Sequence, residues 1–576
     1  MMNRIRLRGR ILICLVLWVA MSATPAVVAS DMRSRIPQEE AHPRMTTSLQ
    51  LLAMTAETEP ARLETMGSDL GVEVTDGDVV FIVEPMYGRA AYVDDVAIRA
   101  LGGTVEARSE SLLRVRAPAD RLLDIADQVS GLALMREPYP RRALAVTSEG
   151  VSLTGATDFH SAGYYGQGAK VAIIDLGFIG YQDARDAGEL SNVVFTHDYT
   201  GDGFETYEDH GVGVAEIVAD MAPQAQLYLM MIDDAVDLQN AVNDCIAYGV
   251  DVINHSVGWF NSNFYDGTGT IAGIATNARN NGILWVNSAG NSGDDGHWQG
   301  AFDDSGDGDG FHEFGLGSDY VDGDGYDEGS RVRVYVPTLP ADAENTITVY
   351  LTWDDWPLSD QDFDLYLYDS GGAVVASSTR WQTEENPGPP TEALTYTTAT
   401  DGSNYFEIAI RKYDASTSPE FDMFVFTEAY ADPLLEDHEA ESSILAPANS
   451  TDVLTVGAVC QSQWGTGPQQ PFSSQGPSNN MDVKPDIAGP DAVSNWTYGS
   501  SGHCDYNGFR GTSASSPHVA GAAALLLSED PSRTAADLQT KLESDAIDMG
   551  AAGKDNVYGS GRMNLEPAPL DPLRGY

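Results

Sequence analysis

The stretch Gly511-Thr512-Ser513-Ala514-Ser515-Ser516-Pro517-His518 constrains this chain more than any other. A Gly-Thr turn presents one serine, and the apolar run Val519-Ala520-Gly521-Ala522-Ala523-Ala524-Leu525-Leu526-Leu527 follows at once. Pro517 falls near the predicted helix start, where few backbone amides need a partner. A helix that is apolar on nearly every side must be buried, so a large core has to exist around it. A hydroxyl at the positive end of such a helix suits a serine that develops negative charge in a reaction. Taken alone, the octapeptide also reads as a capped core helix that happens to begin with serines.

Other parts of the chain supply partners for that serine. Val171-Ala172-Ile173-Ile174 predicts a buried strand that ends at Asp175, and open parallel sheets place their sites at the carboxyl ends of strands. His210-Gly211 precedes a predicted helix of small residues, and Asn291 follows the predicted strand Ile283-Leu284-Trp285-Val286. Each is ordinary by itself: a turn, a helix start, a loop asparagine. Together they make an Asp, His, Asn, Ser set in chain order, which covers the roles that acyl transfer needs. Serine is a weak nucleophile until a base takes its proton. Imidazole does so near neutral pH, and a carboxylate fixes its tautomer. The oxyanion needs donors aimed in advance, which the Asn291 side chain and the Ser513 amide can supply.

Further stretches in the same order are Met221-Ala222-Pro223, Asp251-Val252-Ile253-Asn254-His255-Ser256-Val257-Gly258, Ser473-Ser474-Gln475-Gly476-Pro477, Lys484-Pro485-Asp486 and Tyr558-Gly559-Ser560-Gly561-Arg562. On these motifs the chain resembles the subtilisin-like serine peptidases, the subtilases, over about residues 150–295 and 440–565. The resemblance implies an α/β fold with a parallel sheet covered by helices on both faces. It implies Asp175, His210 and Ser513 as the triad, Asn291 as oxyanion donor, and Ser256, Val257 and Gly258 as an edge strand that pairs with substrate. It also implies protein or peptide substrates, and a small N-terminal unit that acts as the enzyme's own propeptide. Three departures bear on pocket shape: Val212 and Gly213 where Thr and His are usual, Glu216 at a usual glycine, and Ala514 in place of a common Met. The run Thr512-Ser513-Ala514-Ser515 is also similar to sedolisins, acid peptidases with a Glu-Asp-Ser triad, but those carry Asp at the oxyanion position. A third reading is an inactive subtilase fold used as a binding module.

Seven segments are predicted. Residues 1–29 read as a secretory signal, with Arg4, Arg6, Arg8 and Arg10 before an apolar run and a small-residue cleavage site. Residues 30–75 read as linker with at most one short helix. Residues 76–145 follow a β-α-β-β-α-β pattern, a ferredoxin-like unit. Residues 146–295 and 439–570 alternate strands and helices, as a parallel sheet requires. Between them, residues 296–438 carry short alternating strands, an inserted all-β sandwich of jelly-roll type. Residues 571–576 are a tail.

The formal charge is −54. Loss of residues 1–29 removes four arginines and no acid, giving 28 − 86 = −58. Such an excess excludes nucleic acid and anionic membranes as partners. No stretch after the signal is long enough to span a membrane, so export or a periplasmic location is expected. Of the three cysteines beyond the signal, Cys245 falls at a core helix position, while Cys460 and Cys504 can pair in an oxidising compartment. No cofactor is needed for the chemistry. Asp304–Gly310 and Asp322–Asp327 resemble calcium loops without the full pattern, so structural calcium and a solvated acidic loop both remain open.

Overall fold

The computed structural model describes residues 42–566 apart from 71, 73, 76, 139–140, 144–147, 306–307, 315–327, 337–344, 399–404, 428–433, 502–503 and 505–507. The predicted signal, residues 571–576 and the acidic run 322–327 lie outside the described residues.

Seven parallel strands make the central sheet, in the order Ile487–Asp491, Val453–Cys460, Leu284–Ser288, Val252–His255, Lys170–Asp175, Gln226–Met231, Val193–Asp198. The first strand in the chain, Lys170–Asp175, lies between the third and the fourth. The strand order therefore reverses beside Asp175, the place where open α/β sheets build a site. On one face the helices His210–Met221 and Thr512–Glu529 share a core with Val171, Ile173, Leu229 and Val286. On the other, Ala235–Tyr248 and Gly269–Asn280 pack with Ile174, Ile253 and Trp285. Thr512–Glu529 is buried around its whole circumference from Thr512 to Leu527, as its composition demands. A Cβ at Gly521 would come within 2.4 Å of the Met221 Cβ, so this glycine sets how closely the two helices approach.

The N-terminal unit has the strand order Thr104–Arg108, Leu113–Pro118, Asp78–Pro85, Leu132–Arg136, all antiparallel. That is the ferredoxin-like arrangement the pattern predicts. The linker expected over residues 30–75 is corrected where the chain is described. Thr47–Thr58 and Leu63–Asp69 are helices, and their Leu49, Leu52, Leu63 and Met66 share a core with Phe81, Leu113 and Met135. Burial of this spaced apolar set stabilises helices that threonine-rich sequence disfavours.

The insertion is an antiparallel sandwich. One sheet runs His297–Ala301, Glu420–Thr427, Asn345–Trp353, Thr391–Thr398. The other runs Val374–Ser378, Asp362–Asp369, Tyr405–Asp414, Val332–Tyr335, with Leu434–Leu435 at its edge. Apart from that two-residue edge, chain-order numbering gives 1-8-3-6 facing 5-4-7-2, the order of a jelly roll. The chain leaves for this module and returns from it side by side: the Leu445 amide donates to the Ala289 carbonyl at 3.2 Å.

Cys460 and Cys504 form a disulfide, with Cα atoms 5.7 Å apart. Cys245 is a buried free thiol, as its helix position predicts. Among the described residues no helix is long and apolar enough to cross a membrane, and no group of three or more His, Cys, Asp or Glu is placed to hold a metal. Asp304 Oδ1 accepts the Gly310 amide at 3.3 Å, within its own loop.

Candidate active site

Asp175 ends its strand and is fully buried. Its Oδ1 accepts the Leu176 amide at 2.8 Å and pairs with His210 Nδ1 at 2.8 Å. His210 is the first residue of helix His210–Met221. Two glycines let the loops approach: the Gly211 amide donates to the Gly177 carbonyl at 3.0 Å, and a Cβ at Gly211 would fall 2.6 Å from that same oxygen. Behind the imidazole, Phe509 packs at 5.5 Å between ring centroids and is stacked by Tyr498 at 4.5 Å. The Tyr498 hydroxyl donates to Asp209 at 2.6 Å, which fixes the residue before the helix start.

Ser513 follows a turn whose Gly511 has φ +124, a region open to glycine and few other residues. The Gly511 amide donates to Asp491 Oδ1 at 2.6 Å. Ser513 Oγ donates to the Ser256 carbonyl at 3.2 Å. Ser256 Oγ in turn reaches the Ser513 carbonyl at 3.3 Å and Ser516 Oγ at 2.9 Å. The residue expected at the edge of the substrate strand and the expected nucleophile are thus bonded to each other. Asn291 meets the same turn: its Oδ1 accepts the Thr512 amide at 2.9 Å and the Thr512 hydroxyl at 3.0 Å.

Val257–Trp259 is the expected edge strand, and it is paired. Arg141–Ala143, at the end of the N-terminal unit, runs antiparallel to it, with Ala143 opposite Val257, Arg142 opposite Gly258 and Arg141 opposite Trp259. A Cβ at Gly258 would lie 2.4 Å from Leu445 Cδ1, so a larger residue at this position would have to displace Leu445. The N-terminal unit has a second foothold. Ile82 and Leu112 join the core of Met230, Val236 and Ala241. The guanidinium of Arg114 reaches Asp237 at 2.6 Å and the Tyr199 carbonyl at 3.0 Å.

The sequence profile of the subtilase family matches residues 166–419 and 435–561, well over half of the chain. The protein belongs to the subtilase family. Subtilisin amylosacchariticus of Bacillus subtilis subsp. amylosacchariticus is 35% identical over 130 residues, 22% of this chain and 30% of that protein. The thermostable alkaline protease of Halalkalibacterium halodurans is 29% identical over 165 residues, 26% of this chain and 42% of its own. The matched segments span less than half the length of these relatives. Among solved structures, the CspB protease of Clostridium perfringens superposes with a TM-score of 0.48 at 15% identity, over 71% of this chain and 95% of that one.

The subtilase motifs do not mark every residue that shapes the site. Asp491 is fully buried beneath the Gly511 turn, where it accepts from Gly511 and Gln470; burial pushes its carboxyl up to about 7. Its strand contains Gly489 and Pro490 and gives no strand signal, because proline in a sheet is confined to edges; this strand is an edge. His255 is also buried, and burial pushes its imidazole down to about 4. Its Nδ1 bonds the Ile174 carbonyl at 2.8 Å, and Trp259 Nε1 donates to its Nε2 at 2.9 Å. One neutral ring thus ties the strand end at Asp175 to the edge strand. Glu216, flagged as a departure, is buried on the helix of His210. It accepts from the Thr497 hydroxyl at 2.6 Å, and burial pushes it up to about 7.

Proposed function

We propose that this subtilase is a secreted serine endopeptidase, made as a precursor whose N-terminal unit blocks the site. Three observations support this reading: the Asp175–His210 pair at a strand end, the hold of Asn291 on the turn before Ser513, and the bond from Ser513 Oγ to the start of an edge strand that already holds a peptide segment. In this reading Asp175 accepts from His210 Nδ1–H and leaves Nε2 as the basic nitrogen. A substrate strand takes the place of Arg141–Ala143 along Val257 and Gly258. His210 removes the proton of Ser513 Oγ, which attacks the carbonyl carbon, and the negative charge collects on the carbonyl oxygen. The Ser513 amide at the helix start donates to that oxygen. Asn291 donates as well, because Thr512 holds its Oδ1 and turns the amide nitrogen the other way. His210 then protonates the leaving amine, and water repeats the cycle on the acyl-enzyme. The chemistry needs no cofactor. Residues 1–29 direct export, and the N-terminal unit is the protein's own inhibitor until it is cut away.

The test is labelling with a serine-reactive fluorophosphonate after maturation, alongside hydrolysis of casein. Labelling at Ser513 that is absent from Ser513→Ala is the expected result. Absence of both labelling and hydrolysis in the parent would establish a binding module instead.

A further inference from the structure

Trp259 closes the edge strand that pairs with Arg141–Ala143, and the side chain of the next residue packs against the jelly roll. Phe260 stacks on Tyr350 with ring centroids 4.8 Å apart, and Phe426 meets it edge-on at 4.7 Å. Asn261 donates through Nδ2 to the Glu392 carbonyl at 2.9 Å. The jelly roll is therefore fastened directly to one end of the cleft.

Chain direction shows which end. In the antiparallel pairing, Ala143 faces Val257 and Arg141 faces Trp259, so residues earlier in the bound segment run past Trp259 towards the jelly roll. Glu137 and Pro138 of that segment line a cavity of about 400 Å³, whose far wall includes Arg380, Thr391, Ala393 and Thr395 of the jelly roll. Thr391–Thr398 is the edge strand of its sheet, and Ala393 is exposed. A neighbouring cavity of about 530 Å³ separates Pro43 and Met45 from Trp356, Leu358 and Trp381; Leu358 is 56% exposed. The N-terminal unit forms one side of both cavities. Its departure turns them into one open groove, continuous with the edge strand and floored by the jelly roll.

We propose that the jelly roll is the far acyl-side end of the substrate cleft. It takes the residues of an extended polypeptide that lie about six to eight positions before the cut bond. The count follows from the register. Pro138 stands five residues before Ala143, and one register step beyond Val257 lies Ser256, whose carbonyl holds Ser513 Oγ. Strand addition supplies the main-chain contacts near the bond. The tryptophans and Leu358 offer rigid apolar surface to the residues further out. The occupant is thus an unfolded or extended protein segment with apolar residues at those outer positions. The inference rests on the peptidase reading above.

The experiment compares kcat/KM of the matured enzyme on two substrates: a four-residue anilide, and an internally quenched peptide with eight residues before the cut bond, apolar at the outer three. The expected ratio of long to short is about ten or more. Ala393→Trp, which fills the groove, and Trp381→Ala, which removes a ring face, are each expected to lower that ratio about five-fold. A parent ratio near one, or a ratio unchanged in both variants, overturns the inference while leaving the peptidase reading in place. Hydrolysis of neither substrate overturns the peptidase reading, and this inference with it.

Discussion

The amide of Thr512, the residue before the proposed nucleophile Ser513, donates to Asn291 Oδ1 at 2.9 Å. The same bond that holds the turn therefore decides which way the Asn291 amide points. A donor aimed at the developing oxyanion acts mainly in the transition state. Asn291→Ala is expected to lower kcat by roughly 10²–10³ with little change in KM, a magnitude measured on a subtilisin, a member of this family. Steady-state kinetics on one anilide checks it. An equal loss appearing wholly in KM would mean the residue binds substrate instead.

Ala143 is the last described residue paired with the edge strand, opposite Val257 and so one residue short of Ser256. A nucleophile held at the Ser256 carbonyl cuts just beyond that pairing. Maturation is expected to expose a new N-terminus within residues 144–148, and Ser513→Ala is expected to stay at precursor length. Intact mass and N-terminal sequencing of both secreted chains decide this. A precursor-length parent with full activity would remove the N-terminal unit from the role of inhibitor.

Arg114 is anchored to Asp237 at 2.6 Å and lies 3.7 Å from Asp234, with both aspartates fully buried. Removing the cation leaves two carboxylates buried together, a loss of about 3–5 kcal/mol. That loss falls on the bound form alone, since departure of the N-terminal unit returns the aspartates to water. Arg114→Leu is expected to shorten the lag between cleavage and activity ten-fold or more. Active-site titration against time reads it, and an unchanged lag would show that the strand Arg141–Ala143 alone governs release.

Glu216 has a carboxyl raised from 4.5 to about 7 by burial. The folded chain then binds more protons than the unfolded chain between those values. Stability from this group is fully present below about pH 4.5 and is lost as pH rises through 7, by about 3 kcal/mol. Glu216→Gln removes that dependence. The melting temperature of the variant relative to the parent is expected to be higher at pH 8.5 than at pH 5, by several degrees. A difference that does not vary with pH would mean the group stays uncharged, or is solvated, throughout.

Legibility in the sequence followed physical locality. Asp175, His210, Asn291 and Ser513 stand out because each needs a glycine or a strand end beside it, and those neighbours are written in the chain. The jelly-roll strands from Asn345 to Thr427 show as alternation because residues such as Ile347, Val349 and Leu351 point into one shared core, while the residues between them are polar or aromatic. Thr47–Thr58 was hidden by its threonines, although Leu49, Leu52 and Ala53 carry helical spacing. Arg141–Ala143 gives no strand signal because its partner is another unit 114 residues further on, Val257 opposite Ala143. Asp491 and His255 are polar residues in buried positions, and only the assembled turn and strand end reveal what they hold. A sequence pattern reports the face a residue presents to its own element, whereas these residues act between elements.

The paired crossings at Ala289 and Leu445 carry a further consequence. The whole jelly roll is joined to the core by two chain segments one hydrogen bond apart, the arrangement in which a module is inserted or lost with least disturbance to its host. Asn291 stands two residues along the outgoing segment, so the arm is detachable only beyond it: its mounting and the proposed oxyanion donor share one stretch of chain.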